Sequence, residues 1–216
     1  MGPTRAIDDQ TARARIRDVA LALLAEHGVA ATSIRGVADA AGVSTGLVQH
    51  HFGSKAGLVQ ACDDFAIGAV LDQARRAAAG DAQQPGFTAQ MYPASEASVR
   101  YLARALVDGS PAAAELFDSG AELAEKWLSS LCPDRFPAGS GRVRNAAAVM
   151  GAMHLGTLVL HTHLSRRAGA DVLDREHTTL VSAGIFDVYG AMAEFLATPD
   201  AAALRMTPAA EGDRDE

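Results

Sequence analysis

The sequence predicts an all-α protein, and three features of its composition support this. Of the 216 residues, 49% are hydrophobic but only 5% are aromatic, and alanine is the commonest residue. Alanine favours helices, and the chain lacks the sustained alternation of β-branched residues that a sheet needs. A chain of this length buries about 70% of its unfolded surface. It is therefore expected to fold unaided as one large or two small domains.

Four helices are predicted in the first third of the chain. The first runs from a cap at Asp8 or Asp9 to His27, and Gly28 ends it. Two short helices and a long one follow, at about 33–41, 44–52 and 55–79; Thr32-Ser33 offers hydroxyl caps for the first short helix, and Ser44 can cap the second.

The rest of the chain also has helical periodicity, interrupted by glycine and proline. Four further helices are predicted, at about 93–107, 111–132, 141–167 and 173–197, with a break allowed at Ser119-Gly120 in the second of them. Residues 199–216 show no periodicity and are expected to be a flexible tail. The predicted organisation is an N-terminal domain over 1–57, a larger helical domain over 58–198 and the tail.

The two short helices form a helix-turn-helix pattern, in which the second helix can enter the major groove of DNA. The turn is Ala41-Gly42-Val43-Ser44. The outward positions of the second short helix are hydrogen-bonding or very small: Thr45, Gly46, Gln49 and His50. Gln can pair with adenine, Thr offers a hydroxyl and a methyl group, and glycine allows close approach of the backbone.

The sequence around this pattern resembles the DNA-binding segment of the tetracycline-repressor (TetR) family. The resemblance covers residues 11–60 and is carried by Thr32-Ser33-Ile34-Arg35-Gly36-Val37-Ala38 and by the string from Gly42 to Leu58. It implies an all-helical homodimer with an N-terminal three-helix domain that binds double-stranded operator DNA. It also implies a larger domain that binds a small effector and dimerises, and it implies no catalysis and no cofactor.

The resemblance also assigns roles to individual residues. It places Arg35, Thr45, Gly46, Gln49 and His50 at base-facing positions, and Ser33, Ser44, His51 and Lys55 at phosphate-facing positions. Helix N-termini attract anions, which independently favours phosphate contacts at Ser44 and Lys55. The family usually has tyrosine where this chain has Gln49, so a contact that a phenol makes elsewhere must be remade or lost.

The net charge of −7 is unevenly distributed along the chain. Residues 1–60 carry six Lys/Arg and five Asp/Glu, whereas the remainder is strongly acidic. A dimer would present Arg35 and Lys55 twice, with help from Arg5, Arg13, Arg15 and Arg17. An acidic chain can therefore still hold a cationic face for DNA.

The last two predicted helices are apolar on nearly all sides, which one buried face cannot explain. We expect them to pack on their own core and on a second subunit, forming a homodimer. Burial entirely within one chain is the alternative. A two-fold dimer would place two recognition helices in successive major grooves of a palindromic site.

Aromatic and methionine residues are concentrated in the second domain, as in an adaptable effector pocket. The predicted ligand-binding residues are Phe65, Met91, Tyr92, Tyr101, Phe117, Trp127, Met150 and His154. Ordinary core packing is the other interpretation. The acidic charge favours a neutral or cationic effector. Because the fourth helix links Lys55 to this region, an effector is expected to tilt it and release the DNA, as in a repressor.

Several other classes are disfavoured by the sequence. Two cysteines cannot form a disulfide framework, no secretion signal is present, and apolar stretches are interrupted before membrane length, so we expect a cytoplasmic protein without membrane contact. The histidines at 154, 161, 163 and 177 lack the spacing of a shared metal site. Enzyme motifs are missing. A ligand-binding module without DNA affinity and a small helical hydrolase remain the alternatives.

Overall fold

The computed structural model describes residues 3–78 and 96–198 and confirms the all-α class, since this part of the chain contains no strand. Nine helices are described: α1 (Pro3–Ala31), α2 (Ile34–Ala41), α3 (Thr45–Phe52), α4 (Lys55–Ala78), α5 (Glu96–Asp108), α6 (Pro111–Leu131), α7 (Gly141–Val159), α8 (His161–Ala168) and α9 (Thr178–Leu196). A single 3₁₀ turn, Arg175–His177, precedes α9. The predicted tail over 199–216 lies outside the described residues.

The start of α1 differs from the prediction, because the helix begins at Pro3, before the predicted cap at Asp8 or Asp9. Gly28 interrupts the helix as predicted, with φ of 78° and ψ of 170°, and a short second helical stretch follows to Ala31. A left-handed φ is accessible to glycine without steric cost. Beyond the break, the buried hydroxyl of Thr32 donates to the Gly28 carbonyl at 2.9 Å and fixes the chain where it turns into α2.

The caps of α2 and α3 confirm the prediction. Ser33 Oγ accepts from Gly36 N, and Ser44 Oγ accepts from Leu47 N. Gly42 ends α2 in the left-handed region, with φ of 65°. These contacts are local, so the serine and glycine positions determine both helix boundaries.

The later helices require two corrections. The predicted helix over 141–167 is two helices, α7 and α8, which meet at Leu160 with a bend of 64°. The bend allows Leu158 and Leu164 to pack on one small cluster that includes Val172 and Leu173. Because this cluster takes residues 172–173 out of helical structure, α9 begins at 178 rather than 173. By contrast, α6 runs unbroken through Ser119-Gly120.

One main hydrophobic core connects the N-terminal helices to the later ones. It includes Ile16 of α1, Val48 of α3, Leu58 of α4, Leu102 of α5 and Leu116 of α6, all nearly inaccessible to solvent. α1 packs more extensively on α5 than on α2, α3 or α4. The N-terminal helix α1 therefore rests directly on a helix of the second predicted domain, and the boundary at 57/58 stays a prediction.

Helix α9 is largely uncovered in the single chain. Its exposed apolar side chains are Leu180, Phe186, Val188, Tyr189, Met192, Phe195 and Leu196. Among the described helices, α9 alone is long and apolar enough to cross a membrane by length and composition, and α7 with α8 would be a second such stretch if the bent pair counted as one. The expectation that no apolar stretch reaches this length is therefore wrong, because Asp187 and Glu194 interrupt α9 too little.

A polar pair joins α4 to α5 inside the core. The Tyr101 hydroxyl donates to the Asp63 carboxyl, and both residues are buried. Burial raises the pKa of Asp63, and the nearby Asp64 and Glu115 raise it further, although the Tyr101 hydrogen bond opposes this. Burial likewise raises the pKa of the neighbouring Cys62 thiol to about 12, which keeps it protonated.

The raised pKa of Asp63 predicts a pH-dependent stability. Folding holds this proton more tightly than the unfolded chain does, so its contribution is complete below the ordinary carboxyl pKa and is lost as pH rises through the folded value. We expect Asp63→Asn, which keeps an acceptor for Tyr101, to gain thermal stability relative to wild type as pH rises from about 4 to 7. Asp118→Asn, at an exposed aspartate on α6, is the matched control. A difference in melting temperature between Asp63→Asn and wild type that stays constant across this pH range would contradict the assignment.

Candidate DNA interface

The helix-turn-helix presents one face of α3 to solvent. Val48 and Phe52 of α3 are buried, which fixes the rotation of the helix about its axis. Thr45, Gly46, Gln49 and His50 are consequently exposed. These are the outward positions predicted from the sequence, and they form a continuous surface of hydrogen-bonding and small groups.

The two capping serines lie beside this face and retain donor capacity. Each hydroxyl oxygen accepts a backbone N–H, at 3.0 Å for Ser33 and 3.1 Å for Ser44. A serine hydroxyl has one hydrogen to donate in addition to the bond it accepts. Both serines are exposed, so each can donate to a phosphate oxygen while the cap stays intact.

The cations near α3 differ in their availability. The Arg35 side chain is 86% exposed, and its Nε lies 3.8 Å from an Asp39 carboxylate oxygen. Such an exposed pair contributes little, so Arg35 can leave it for DNA. Lys55 is half-buried, and its Nζ donates to the Ala30 carbonyl at 3.4 Å. It therefore joins the start of α4 to the end of α1 as well as lying at the phosphate-facing position.

His51, like Lys55, is less exposed than the two predicted phosphate-facing serines. It is half-buried, with its ring centroid 6.1 Å from that of Phe52 and 5.4 Å from that of His50. Its ring therefore packs at the end of α3, whereas His50 stands on the exposed face.

Arg17 does not belong to the cationic face. Its guanidinium carbon lies 3.4 Å from the Phe65 ring centroid, and the same group is bonded to Asp18. This corrects the expectation that Arg17 helps to neutralise phosphates, because its charge is used between α1 and α4. Arg13 is exposed and lies over the Phe52 ring at 5.1 Å, next to the end of α3. Arginine–aromatic stacking between distant segments gives no local sequence signal.

A close backbone contact joins α3 to α4. A β-carbon on Gly57 would lie 2.1 Å from the Phe52 carbonyl oxygen, which no side chain can tolerate. Gly57 lies within the family-like string, but nothing in its sequence context indicates this contact. Its role is steric, because only glycine lets the first turn of α4 lie against the end of α3.

Comparisons with known proteins agree with this geometry. The family model for bacterial regulatory proteins of the tetR family matches residues 16–62, which include the whole helix-turn-helix. The HTH-type transcriptional regulatory protein RaaS of Mycobacterium tuberculosis is 36% identical over 161 residues, covering 71% of this chain and 74% of RaaS. The chain belongs to the TetR family.

Two further comparisons match this TetR-family chain over a shorter stretch or at lower identity. The HTH-type transcriptional repressor KstR2 of Rhodococcus jostii is 47% identical over 47 residues, covering 22% of this chain and 23% of KstR2. The crystal structure of a TetR-family regulator from Pectobacterium atrosepticum is 18% identical, covers 83% of this chain and 94% of its own, and has a TM-score of 0.46. This TetR-family chain is a DNA-binding transcriptional regulator and not an enzyme.

The predicted effector residues of this TetR-family chain lie in two regions. Tyr101 is buried in the main core, and Phe65 packs against that core. Phe117, Trp127, Met150 and His154 are partly buried on α6 and α7, which pack along each other. Met91 and Tyr92 lie outside the described residues, so their contribution stays a prediction.

His154 has a polar partner on α9. Its Nε2 lies 3.0 Å from the Tyr189 hydroxyl, and burial lowers the pKa of His154. Among the residues that the structure describes, no group of three or more His, Cys, Asp or Glu could hold a metal ion. We therefore assign His154 a hydrogen-bonding role between α7 and α9.

An open depression that the sequence did not predict lies beside α5 and α8. Its volume is about 550 Å³, and it is lined by Arg100, His161, Thr162, Ser165, Gly169, Ala170 and Asp171. Arg100 is bonded to Asp171, Asp174 and Glu96, and its hydrogen bond lowers the pKa of Asp171. The charges of this depression are already paired, so it mainly anchors the loop before α9 to α5.

The exposed face of α3 predicts different effects for two substitutions. Gln49→Ala should change the preferred base at one position, at a cost of about 1–3 kcal/mol for the preferred site. Lys55→Ala should weaken all duplexes to a similar extent, because an ammonium on phosphate reads no base. Binding measured by fluorescence anisotropy on a panel of single-base variants of the selected site separates the two. Gln60→Ala, at an exposed glutamine on α4, is the control, and identical binding profiles for Gln49→Ala and Lys55→Ala would refute the assignment.

Proposed function

We propose that this chain acts as a homodimeric repressor, which binds palindromic operator DNA and is released by a small effector. The observation that carries the proposal is the exposed polar face of α3, held outward by buried Val48 and Phe52. In this proposal residues 1–57 bind DNA, residues 58–198 bind effector and dimerise, and the protein acts in the cytoplasm.

The proposed DNA contacts use the groups that the fold leaves accessible. Thr45, Gly46, Gln49 and His50 face the bases together with Arg35, and Ser33, Ser44, His51 and Lys55 face the phosphates. The exposed Arg13 of α1 adds positive charge near the end of α3. Two copies of this surface can attract DNA although the whole chain has a net negative charge, because DNA is attracted by the positive potential close to the binding surface.

The proposed dimer interface consists of α7 and α9. Of α9, only Val181, Ser182 and Ile185 are partly buried by the chain itself among the side chains described. The apolar remainder continues onto α7, where Val149 is 60% and Met153 is 55% exposed. A patch of this kind on a soluble regulator indicates an interaction surface, and a second copy presents the same patch.

The proposed effector site lies among the predicted aromatic and methionine residues between α4 and α7. Helix α4 runs from Lys55 at the DNA to this region, a length of about 35 Å at 1.5 Å per residue. An effector that prefers one tilt of α4 shifts the dimer away from the DNA-bound arrangement, since equal affinity for both would shift nothing. The acidic balance favours a neutral or cationic effector.

DNA binding is tested by its salt dependence. If the dimer neutralises about four to eight phosphates, the plot of log affinity against log salt concentration should have a slope of about −4 to −7. The measurement uses anisotropy titrations with the duplex upstream of the chain's own coding sequence and with a scrambled duplex. A slope near zero, or equal affinity for both duplexes, would favour a ligand-binding module without DNA affinity.

The dimer is tested by charging its proposed interface. Val188→Glu with Met192→Glu should convert the dimer to monomer at micromolar concentration, because two buried charges per subunit would lack partners. Sedimentation velocity measures the change, and operator affinity should fall with it because one subunit reads one half-site. Val107→Glu, at a residue that is 61% exposed on α5, is the matched control and should stay dimeric. A monomeric wild type would overturn the proposed interface.

A further inference from the structure

The break in α1 at Gly28 lies against a side chain of α5. A β-carbon on Gly28 would lie 3.2 Å from Arg104 Nη2, and 3.6 Å from the guanidinium carbon. Arg104 Nε also donates to an Asp108 carboxylate oxygen at 2.8 Å, in an i,i+4 pair on α5 whose side chains are 42% and 45% exposed. The Arg104 guanidinium therefore lies next to Gly28, where the α1 backbone leaves helical geometry.

The segment after this break leads directly to the DNA-facing helices. Thr32 is 7% exposed, and its hydroxyl donates to the carbonyls of Gly28 at 2.9 Å and Leu23 at 3.3 Å. The next residue, Ser33, is the cap of α2. Any displacement of Gly28 therefore moves the start of α2, and the rigid α2–α3 unit with it.

The same face of α5 also holds α4. Tyr101 lies three residues before Arg104, so the two side chains share one face of the helix. Tyr101 donates to Asp63 of α4, while Arg104 rests on the end of α1. Lys55 of α4 in turn donates to the Ala30 carbonyl, within the segment that follows the break. Helix α5 thus touches both supports of the helix-turn-helix.

We propose that Arg104 is a positioning residue for DNA binding, which holds the α1–α2 junction so that the recognition helices of the two subunits have the separation that the operator requires. The inference rests on the proposed dimeric function. It adds a second connection between the effector domain and DNA, through α5 and α1, to the tilt of α4.

Half-site spacing is the property that a positioning residue controls. Wild-type protein first selects its operator from random duplexes, and duplexes are then made with the two half-sites moved apart or together by one base pair. Arg104→Ala should reduce the preference for the selected spacing by about three- to tenfold, while the cost of a base change within a half-site stays as in wild type. Asp108→Ala, which removes the hydrogen-bond partner of the guanidinium, should act in the same direction.

Arg100→Ala is the matched control, because Arg100 lies one turn earlier on α5 and bonds to three carboxylates away from α1. It should lower the melting temperature more than Arg104→Ala does, and it should leave the spacing preference unchanged. Hydrogen exchange without DNA supplies a second readout: amides at 32–37 should exchange faster in Arg104→Ala and not in Arg100→Ala.

The outcomes separate this inference from the function on which it rests. If Arg104→Ala lowers stability but keeps the wild-type spacing preference and the wild-type exchange at 32–37, Arg104 is only structural and the inference is wrong. If wild type selects no duplex, the DNA-binding proposal itself fails and the inference fails with it.

Discussion

The burial of one side of α3 is the constraint on which the DNA-facing surface depends. Val48 and Phe52 are separated by four residues, so they lie on one face and enter the core between α1 and α4. Burying an apolar side chain of this size contributes about 1.5–3 kcal/mol, which far exceeds the energy of any exposed contact of α3. Rotation of the helix about its axis is therefore fixed from inside. The polar residues on the opposite face, Gln49 among them, are thereby held toward solvent.

Local chemistry decides which parts of this fold the sequence predicts well. The boundaries of α2 and α3 follow from serine caps and a left-handed glycine, each acting within four residues, and the structure confirms them. The bend at Leu160 has no such local signal. It arises because Leu158 and Leu164 pack on the same distant cluster, and periodicity along the chain cannot show a partner that is not sequential. For helix α9, the sequence shows that apolar residues occur on nearly all sides. Only the structure shows that most of these residues are exposed in the single chain.

The candidate site likewise contains features that local sequence predicts and features that depend on distant contacts. Outward positions of α3 could be predicted because helical spacing and the cap together give the rotation. The place of Arg17 could not, since it depends on Phe65, and the Lys55 bond depends on Ala30. Aromatic composition in the second domain was informative about residue types but not about which way each ring faces. Tyr101 illustrates this, because the structure pairs its hydroxyl with a buried carboxyl of α4.

The near-contact between Gly57 and the Phe52 carbonyl has a mechanical meaning. Side chains at a contact between two helices can change rotamer, whereas two stretches of main chain in direct contact can adjust very little. The angle between helices α3 and α4 consequently has little freedom to change. In the proposed release mechanism, the recognition helix would therefore move together with the first turn of α4 when that helix tilts.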